Sequence, residues 1–330
     1  MNLTLPHIQA AAELLKRRLG ASPLVTVNRW RTVGDAQIVV KAESLMPTGS
    51  FKIRGATWRV STLTAEERSR GVVAYSTGNH AQAVAKAAAD AGIKATIVMS
   101  PDVPLAKIDA TKAWGAFVVM ADSTSHARRI LAESLAEEHG YVLVPPYDDM
   151  EVMAGQASIG VELLAQLADK PPGAVFVPIG GGGLLAGVAA AIKQLAPEVK
   201  VIGVEPELEN DAYRSFHEGR LSSMKAPSES VADAIKVQSL GNLTFPLIRQ
   251  YVDDIVTVSE SDIMSACLRY YKEAHLVVEP GGAVSLAAAF CDQYKFPSDT
   301  PVVVLACGGN ITLERLTQLQ MNLAQRSNAT

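Results

Sequence analysis

The strongest restriction on the fold lies between residues 72 and 144, where short apolar runs and helix-like runs take turns. Residues 72–75, 95–99, 117–120 and 141–144 are strand-length and apolar. Between them, 81–91, 105–113 and 125–139 carry helical patterns, each followed by a glycine (Gly92, Gly115, Gly140). Such alternation lays strands side by side in parallel, with the crossover helices covering the sheet. A looser version continues on both sides. Helices are expected at 7–19, 154–167, from the glycine run to Leu195, 261–275 and 281–294. Strands are expected at 38–43, 174–179, 199–204, 255–258 and 301–306. The stretch opening at Pro23 and residues 205–245, richer in charge, Ser and Pro, read as irregular. The expectation is an α/β protein of parallel twisted sheets flanked by helices, and 330 residues suffice for two packed lobes.

Composition narrows the function classes. Hydrophobic residues make up 48% and charged residues 19%, which fits a globular enzyme and not a disordered chain. A net charge of -4 implies no nucleic-acid or anionic-membrane surface. No run approaches the roughly 18 apolar residues of a membrane span, and Pro6 and His7 interrupt any signal-peptide plan. Cys267, Cys291 and Cys307 are too widely spaced for a disulfide framework or a zinc site, so a reducing cytoplasm is expected.

Four stretches carry chemistry. In Pro47-Thr48-Gly49-Ser50-Phe51-Lys52-Ile53-Arg54-Gly55, a lysine stands between two apolar residues at a helix start. Burial disfavours its charged form, and a neutral amine can form a Schiff base with an aldehyde. Taken alone, a snorkelling lysine on an amphipathic helix explains it as well. Gly180, Gly181, Gly182 and Gly183 follow an apolar run and precede a helix. Converging backbone N–H groups and the helix dipole make this a phosphate cup. A tight turn rarely needs four glycines. The dinucleotide fingerprint does not fit the spacing, and only Glu205 could hold a ribose. Ser76-Thr77-Gly78-Asn79-His80-Ala81-Gln82 opens another helix, whose unpaired N–H groups suit a carboxylate; a plain cap by Ser76 or Thr77 is the simpler explanation. Cys307-Gly308-Gly309-Asn310 follows the last strand, where a lone cysteine is most often buried packing.

Together, and in this order, these motifs resemble the fold-type II pyridoxal phosphate enzymes, especially the threonine/serine dehydratase and serine racemase group, over residues 15 to 312. The resemblance implies a two-domain, tryptophan synthase β-like fold. Residues 1–69 and 149–330 would form the large cofactor-binding domain, and 70–148 a small inserted one. It implies pyridoxal phosphate held by Phe51, Lys52, Asn79, Gly180 to Gly183, Leu184 and Cys307, with Lys52 carrying the Schiff base and removing the Cα proton. Ser76, Thr77, Gly78, Asn79, His80 and Tyr147 would meet the substrate, with Thr77 on the face opposite the lysine; His126 and Glu279 lie in stretches near the site. Glu205, Asp211 and the carbonyl at Glu209 match a magnesium or calcium site in relatives, although an exposed acidic loop would have the same composition. The expected activity is loss of water from a β-hydroxy amino acid such as L-threonine or L-serine, giving a 2-oxo acid and ammonia. Amino-acid racemisation, 3-hydroxyaspartate dehydration and a non-catalytic cofactor-binding role are the alternatives. Met46 and Ile53 stand where β-replacement enzymes usually carry asparagine and an acidic residue. The resemblance also implies a homodimer acting on a small amino acid. The last residues, 325–330, read as a frayed tail.

Overall fold

The structure is a computed structural model that describes residues 3–122, 124–226, 228–291 and 294–327. Two sheets organise it. The six-stranded sheet contains β1 (Leu24–Arg31), β2 (Gln37–Lys41), β7 (Ala174–Pro178), β8 (Lys200–Pro206), β9 (Asp254–Val258) and β10 (Val302–Leu305). Its order is β1-β2-β10-β7-β8-β9, and only the β1–β2 pair is antiparallel. The four-stranded sheet contains β3 (Val72–Tyr75), β4 (Ala95–Met99), β5 (Phe117–Met120) and β6 (Val142–Leu143), in order β5-β4-β3-β6 and wholly parallel. β7 and β10 are buried along their whole length, as strands covered on both faces must be.

Thirteen helices among the described residues cover these sheets. They are α1 (Leu5–Leu19), α2 (Lys52–Ser61), α3 (Ala65–Arg70), α4 (Asn79–Asp90), α5 (Leu105–Ala113), α6 (Ser125–His139), α7 (Met150–Gln166), α8 (Gly183–Leu195), α9 (Asp211–Glu218), α10 (Thr244–Tyr251), α11 (Glu260–Arg269), α12 (Pro280–Phe290) and α13 (Leu313–Ser327). Residues of α1, α7, α8 and α10 pack in one apolar cluster against the six-stranded sheet, and residues of α11, α12 and α13 in another. The chain runs β7–α8–β8 in one direction, then returns through α11 and α12 to β10, which lies on the other side of β7. A crevice therefore opens beyond the carboxyl ends of β7 and β10, the switch point where open α/β sheets bind ligands. α2 packs on both α4 and α7, and its Ile53, Ala56 and Val60 share the apolar cluster of the four-stranded sheet.

Several elements differ from the sequence expectation. The stretch after Pro23 is the edge strand β1; a register shift between Thr26 and Arg31 breaks its alternation. The region 205–245 contains α9 and the start of α10. The N–H groups of Asn242, Leu243 and Thr244 before and at the start of α10 are taken by Asp148, 94 or more residues earlier in sequence. The helix expected at 261–275 is α only to Arg269. It widens into a π turn at Tyr270–Ala274 and stops at His275, whose φ is 55°. α12 ends at Phe290, ahead of the expected 294. Residues 325–327 belong to α13, and 328–330 of the expected tail lie outside the described residues.

A buried charge network fixes α2. The Arg54 guanidinium donates Nε and Nη2 to the Glu43 carboxylate, both at 2.8 Å. It also donates Nη1 and Nη2 to Glu162 of α7 at 3.1 and 2.8 Å. Lys41 of β2 donates to Glu162, to the Ser22 carbonyl (2.8 Å) and to Gln166 (2.7 Å). Arg54, Glu43 and Lys41 are wholly buried. Burial works against the Arg54 charge, but Glu43 and Glu162 hold its proton more tightly than usual. Where α2 crosses α7, a Cβ on Gly155 would lie 2.5 Å from the Gly55 Cα, so no side chain fits. Removing one partner of such a network leaves buried charge uncompensated. Arg54→Met should cost about 3–5 kcal/mol in chemical denaturation of the apo protein; a loss below about 1 kcal/mol would mean the network contributes little.

Candidate active site

The lysine loop is stitched to the end of β10. Gly49 adopts φ 69° and turns the chain, with its N–H donating to the Met46 carbonyl at 2.7 Å. Ser50 then bridges Gly308, Phe51 N–H donates to the Cys307 carbonyl (3.0 Å) and Gly309 N–H to the Gly49 carbonyl (2.9 Å). This delivers Lys52 as the first residue of α2. Its Nζ donates to the Pro146 carbonyl at 2.6 Å and lies 5.1 Å from the centre of the Phe51 ring. Burial lowers its pKa to about 8, against a raising influence of Cys307.

Lys52 lines a cavity of about 360 Å³. Every residue expected to touch cofactor or substrate lines it too: Phe51, Ser76, Thr77, Gly78, Asn79, His80, Tyr147, Gly180, Gly181, Gly182, Gly183, Leu184 and Cys307. The glycines join β7 to α8. Gly182 takes φ 90°, and a Cβ on Gly181 would overlap the Tyr147 ring at 2.3–2.4 Å. The first intrahelical bond is Ala186 N–H to the Gly182 carbonyl (2.8 Å), which leaves the N–H groups of Gly183, Leu184 and Leu185 ahead of the ladder. A bare backbone cradle at the N-terminus of a 13-residue helix fits a phosphate group.

On the same cavity, the loop after β3 opens α4. Gly78 N–H donates to Ser76 Oγ (3.2 Å), and a Cβ at Gly78 would meet open space. His80 is buried, and the Val144 carbonyl accepts from its Nε2 at 2.9 Å, so Nε2 carries the hydrogen. Burial, reinforced by the Lys52 charge, pushes this imidazole down to about 3, so it stays neutral. Thr77 is partly buried at the cavity wall.

A side-chain relay ties these parts together. Asn310 Nδ2 donates to the Thr48 carbonyl (2.9 Å) and to Asn79 Oδ1 (2.7 Å). Asn79 Nδ2 donates to Glu279 Oε1 at 2.5 Å. Glu279, the residue before α12, is also held by its N–H to the Gly308 carbonyl (2.9 Å). Burial pushes its carboxyl up to about 7, opposed by the Asn79 hydrogen bond. Burial also pushes the Cys307 thiol up, so the group at the end of β10 is a neutral thiol; its Sγ lies 3.6 Å from the Leu305 carbonyl.

The sequence reasoning assigned no role to Asn310 or the Pro146 carbonyl, and left that of Glu279 open. It also missed Lys107 of α5 and Arg128 of α6, which join His126 on the cavity wall. No local pattern marks these; they converge only because α5 and α6 cover the same sheet. Lys107 also pairs with Asp233 across the cavity at 4.0 Å.

Glu205, Glu209 and Asp211 stand apart from this cavity. They are nearly or wholly buried, so the region is not an exposed acidic loop. Glu205 accepts N–H bonds from Ala212 (3.1 Å) and Tyr213 (2.8 Å), while Glu209 Oε1 accepts from Val237 N–H (2.8 Å). Both Asp211 carboxylate oxygens and Glu209 Oε2 are buried without a hydrogen-bond partner. Burial, with Asp211 nearby, raises Glu205 well above the carboxylate range; burial and Glu209 raise Asp211 to about 7. Among the described residues, no group of three or more His, Cys, Asp or Glu side chains could hold a metal ion. Two carboxylates and a backbone carbonyl remain as candidate donors.

Comparison with known proteins bears on this geometry. Residues 15–308 match the family model described as pyridoxal-phosphate dependent enzyme. The chain belongs to this family. Pyridoxal phosphate is its cofactor, and the glycine cradle and lysine described above fit that group. The L-threo-3-hydroxyaspartate ammonia-lyase of Pseudomonas sp is 40% identical over 94% of this chain and 96% of that protein. The serine racemase of Schizosaccharomyces pombe is 39% identical over 95% and 97%. The crystal structure of a T.th. threonine deaminase superposes with a TM-score of 0.88 at 41% identity, covering 94% of this chain and 99% of that one. The protein is thus a fold-type II pyridoxal phosphate enzyme similar to ammonia-lyases. Among the described residues no helix is long and apolar enough to cross a membrane.

The lowered lysine gives a measurable consequence. Folded Lys52 releases its proton near pH 8, against 10.5 when unperturbed. The cost of holding it charged is therefore full below pH 8 and fades between 8 and 10.5. In the apo protein, acetic anhydride should label Lys52 half-maximally near pH 8, read by mass spectrometry, with surface lysines about two units higher. Labelling in step with the surface lysines would refute the perturbation.

Proposed function

We propose that the protein is a dehydratase of β-hydroxy amino acids, releasing a 2-oxo acid and ammonia. One observation carries the reading. An amine lowered to about 8 faces a cavity lined both by a glycine cradle that suits a phosphate and by the N-terminus of α4, which suits a carboxylate. Pyridoxal phosphate, when bound, supplies an aldehyde that takes up the substrate amine and a ring that draws electrons from Cα.

Glycines 180–183 and Leu184 would hold the phosphate through backbone N–H groups, and Asn79 the ring hydroxyl oxygen. Cys307 would face the ring nitrogen. Ser76, Thr77, Gly78 and the first N–H groups of α4 would bind the substrate α-carboxylate. Lys52 Nζ takes the Cα proton as general base. The ammonium so formed can return that proton to the departing β-hydroxyl, so water leaves in balance; the released enamine tautomerises to an imine, and one water hydrolyses it to the 2-oxo acid and ammonia. Because Cys307 is a neutral thiol and a weak partner, it does not fix a proton on the ring nitrogen. A milder electron sink favours early departure of the β-hydroxyl, and so elimination over transamination. His80 cannot act as an acid here, since it is already neutral; its hydrogen-bonded ring stiffens the start of α4.

A second reading concerns the side chain. Lys107 of α5 and His126 and Arg128 of α6 line the same cavity as the glycine cradle. Threonine and serine bring no charged side-chain group to the Lys107 and Arg128 cations. A β-carboxylate would pair with those cations, which favours 3-hydroxyaspartate as a substrate beside threonine and serine; the similar Pseudomonas enzyme bears that activity in its name.

Purified protein should convert one of L-threonine, L-serine or L-threo-3-hydroxyaspartate to its 2-oxo acid, and Lys52→Ala should abolish this. Appearance of the other enantiomer without 2-oxo acid would make the enzyme a racemase. If the other enantiomer accompanies the 2-oxo acid, Thr77→Ala should remove racemisation while sparing elimination. Absence of both products with cofactor bound would sink the proposal.

The same reading includes a divalent cation at Glu205, Asp211 and the Glu209 carbonyl. Magnesium and calcium favour oxygen donors, and Asp211 has two buried oxygens without hydrogen-bond partners. Millimolar magnesium or calcium should raise the unfolding temperature by several degrees, and Asp211→Asn should remove the response. An equal response in the variant would move the cation elsewhere.

A further inference from the structure

The glycine cradle contains a peptide whose direction its own sequence leaves open. Gly181 and Gly182 flank a trans peptide unit. In such a unit the carbonyl and the N–H point opposite ways. With glycine on both sides it turns over at little steric cost, because neither residue has a Cβ to resist. One orientation offers the Gly182 N–H to the cavity, and the other offers the Gly181 carbonyl oxygen. Only the first suits a phosphate.

Helix α10 sets the orientation from behind. Thr244 Oγ1 donates to the Gly181 carbonyl at 2.8 Å, and the Gly241 N–H donates to the same oxygen at 3.2 Å. Thr244 Oγ1 also accepts from the Gly241 N–H at 2.9 Å, so the hydroxyl is fixed from both sides. The Gly241 carbonyl, at 3.2 Å, is its more distant acceptor. Thr244 is wholly buried, and among the described residues none of α10 lines the catalytic cavity. A Cβ on Gly182 would stand 2.8 Å from both Thr244 Oγ1 and Ile248 Cδ1, so α10 lies directly against the cradle. With the Gly181 carbonyl drawn toward α10, the Gly182 N–H points away from that helix. Among the described residues, none accepts from it.

Asp148 in turn fixes the start of α10. Its carboxylate accepts from the N–H groups of Asn242 (3.0 Å), Leu243 (2.8 Å) and Thr244 (3.3 Å). A Cβ on Gly241 would fall 2.1 Å from Asp148 Oδ1, so the loop before α10 closes onto the carboxylate. Asp148 directly follows Tyr147, whose ring lies against Gly181, and Pro146, whose carbonyl receives Lys52 Nζ.

We propose that Thr244 and Asp148 are positioning residues for the cofactor phosphate, holding the Gly181–Gly182 peptide so that its N–H faces that group. This rests on the placement of the phosphate on the glycine cradle. Neither side chain lines the cavity, and both act through the Gly181 carbonyl. Without the Thr244 hydroxyl that carbonyl loses its shorter hydrogen bond, and the peptide can turn its oxygen toward the anion. Loss of one hydrogen bond to a charged oxygen corresponds to roughly tenfold or more in affinity.

The test titrates the apo protein with pyridoxal 5′-phosphate and, separately, with pyridoxal, which has the same ring and aldehyde but no phosphate. Absorbance of the bound ligand reads both affinities, and their ratio measures what the phosphate contributes. The unaltered protein should strongly prefer pyridoxal phosphate; equal affinities would take the phosphate off the cradle and end the placement on which the proposal rests. Thr244→Val should reduce that preference about tenfold, with pyridoxal itself changing less than twofold. Thr244→Ser should restore it. Asp148→Asn, which leaves Thr244 and the glycines in place, should reduce it several-fold. A full preference in Thr244→Val would overturn the role of Thr244, and in Asp148→Asn that of Asp148. Equal weakening of both ligands, with no rescue by serine, would reduce the two residues to general support of the fold and overturn the proposal. No turnover is measured, so the outcome is independent of which substrate the enzyme takes.

Discussion

The position of the lysine rests on a fork of buried hydrogen bonds two residues further along the chain. Arg54 grips Glu43 and Glu162 with two N–H groups each, and the guanidinium itself is wholly buried. Bidentate pairs of this kind specify direction as well as distance. Glu43 follows β2, and Glu162 lies on α7. The helix that begins at Lys52 is thereby referenced to the six-stranded sheet and to α7 at once. The same α7 starts just after the Pro146 carbonyl that receives Lys52 Nζ and the Tyr147 ring that lies against Gly181. A rotation of α2 would therefore break the Arg54 fork and the Lys52 hydrogen bond together.

Around that anchor the site is built from strand ends. The glycine cradle follows β7, Cys307 follows β10 and the residues from Ser76 follow β3. These strands belong to two sheets, and the cradle alone would hold a phosphate with nothing to react. The Asn310–Asn79–Glu279 relay joins them, since Asn79 starts α4 beside the four-stranded sheet while Glu279 and Asn310 flank β10. Hydrogen bonds between neutral or half-neutral groups suit this position, because they orient the Asn79 amide without adding a fixed charge beside the lysine.

Much of this was legible in the sequence because local signals agreed with the final packing. The parallel alternation of 72–144 survives almost residue for residue, since every strand there is apolar and every crossover helix is followed closely by glycine. The four motifs were legible because each needs a special residue: a lysine among apolar neighbours, glycines where Tyr147 leaves no room for a Cβ, and Asn79 at a helix start. What escaped was set by distant partners. α10 owes its first turn to Asp148, so 205–245 looked irregular. β1 hides behind a register shift on an edge, and His275 ends a π turn that no period of 3.6 foretells. Lys107 and Arg128 sit on helices whose own sequences say only that they face solvent in part, and the sheet turns them toward the cavity.

Three groups that share the cavity with the lysine, His80, Cys307 and Glu279, are kept from carrying full charge. His80 is held neutral by burial and by the Lys52 charge, against the hydrogen bond it donates to Val144. Cys307 is held as a thiol, and the Glu279 carboxyl is raised to about 7. A full carboxylate close to Lys52 would raise the amine's pKa and weaken it as a base at neutral pH. With such charge suppressed, desolvation dominates, and an amine near 8 is part-deprotonated under ordinary conditions. Its competence to take a proton is thus a property of enclosure. The enclosure comes from the Pro146 carbonyl, the Phe51 ring and the two sheets, which makes the base only as good as the packing of α2 against α4 and α7.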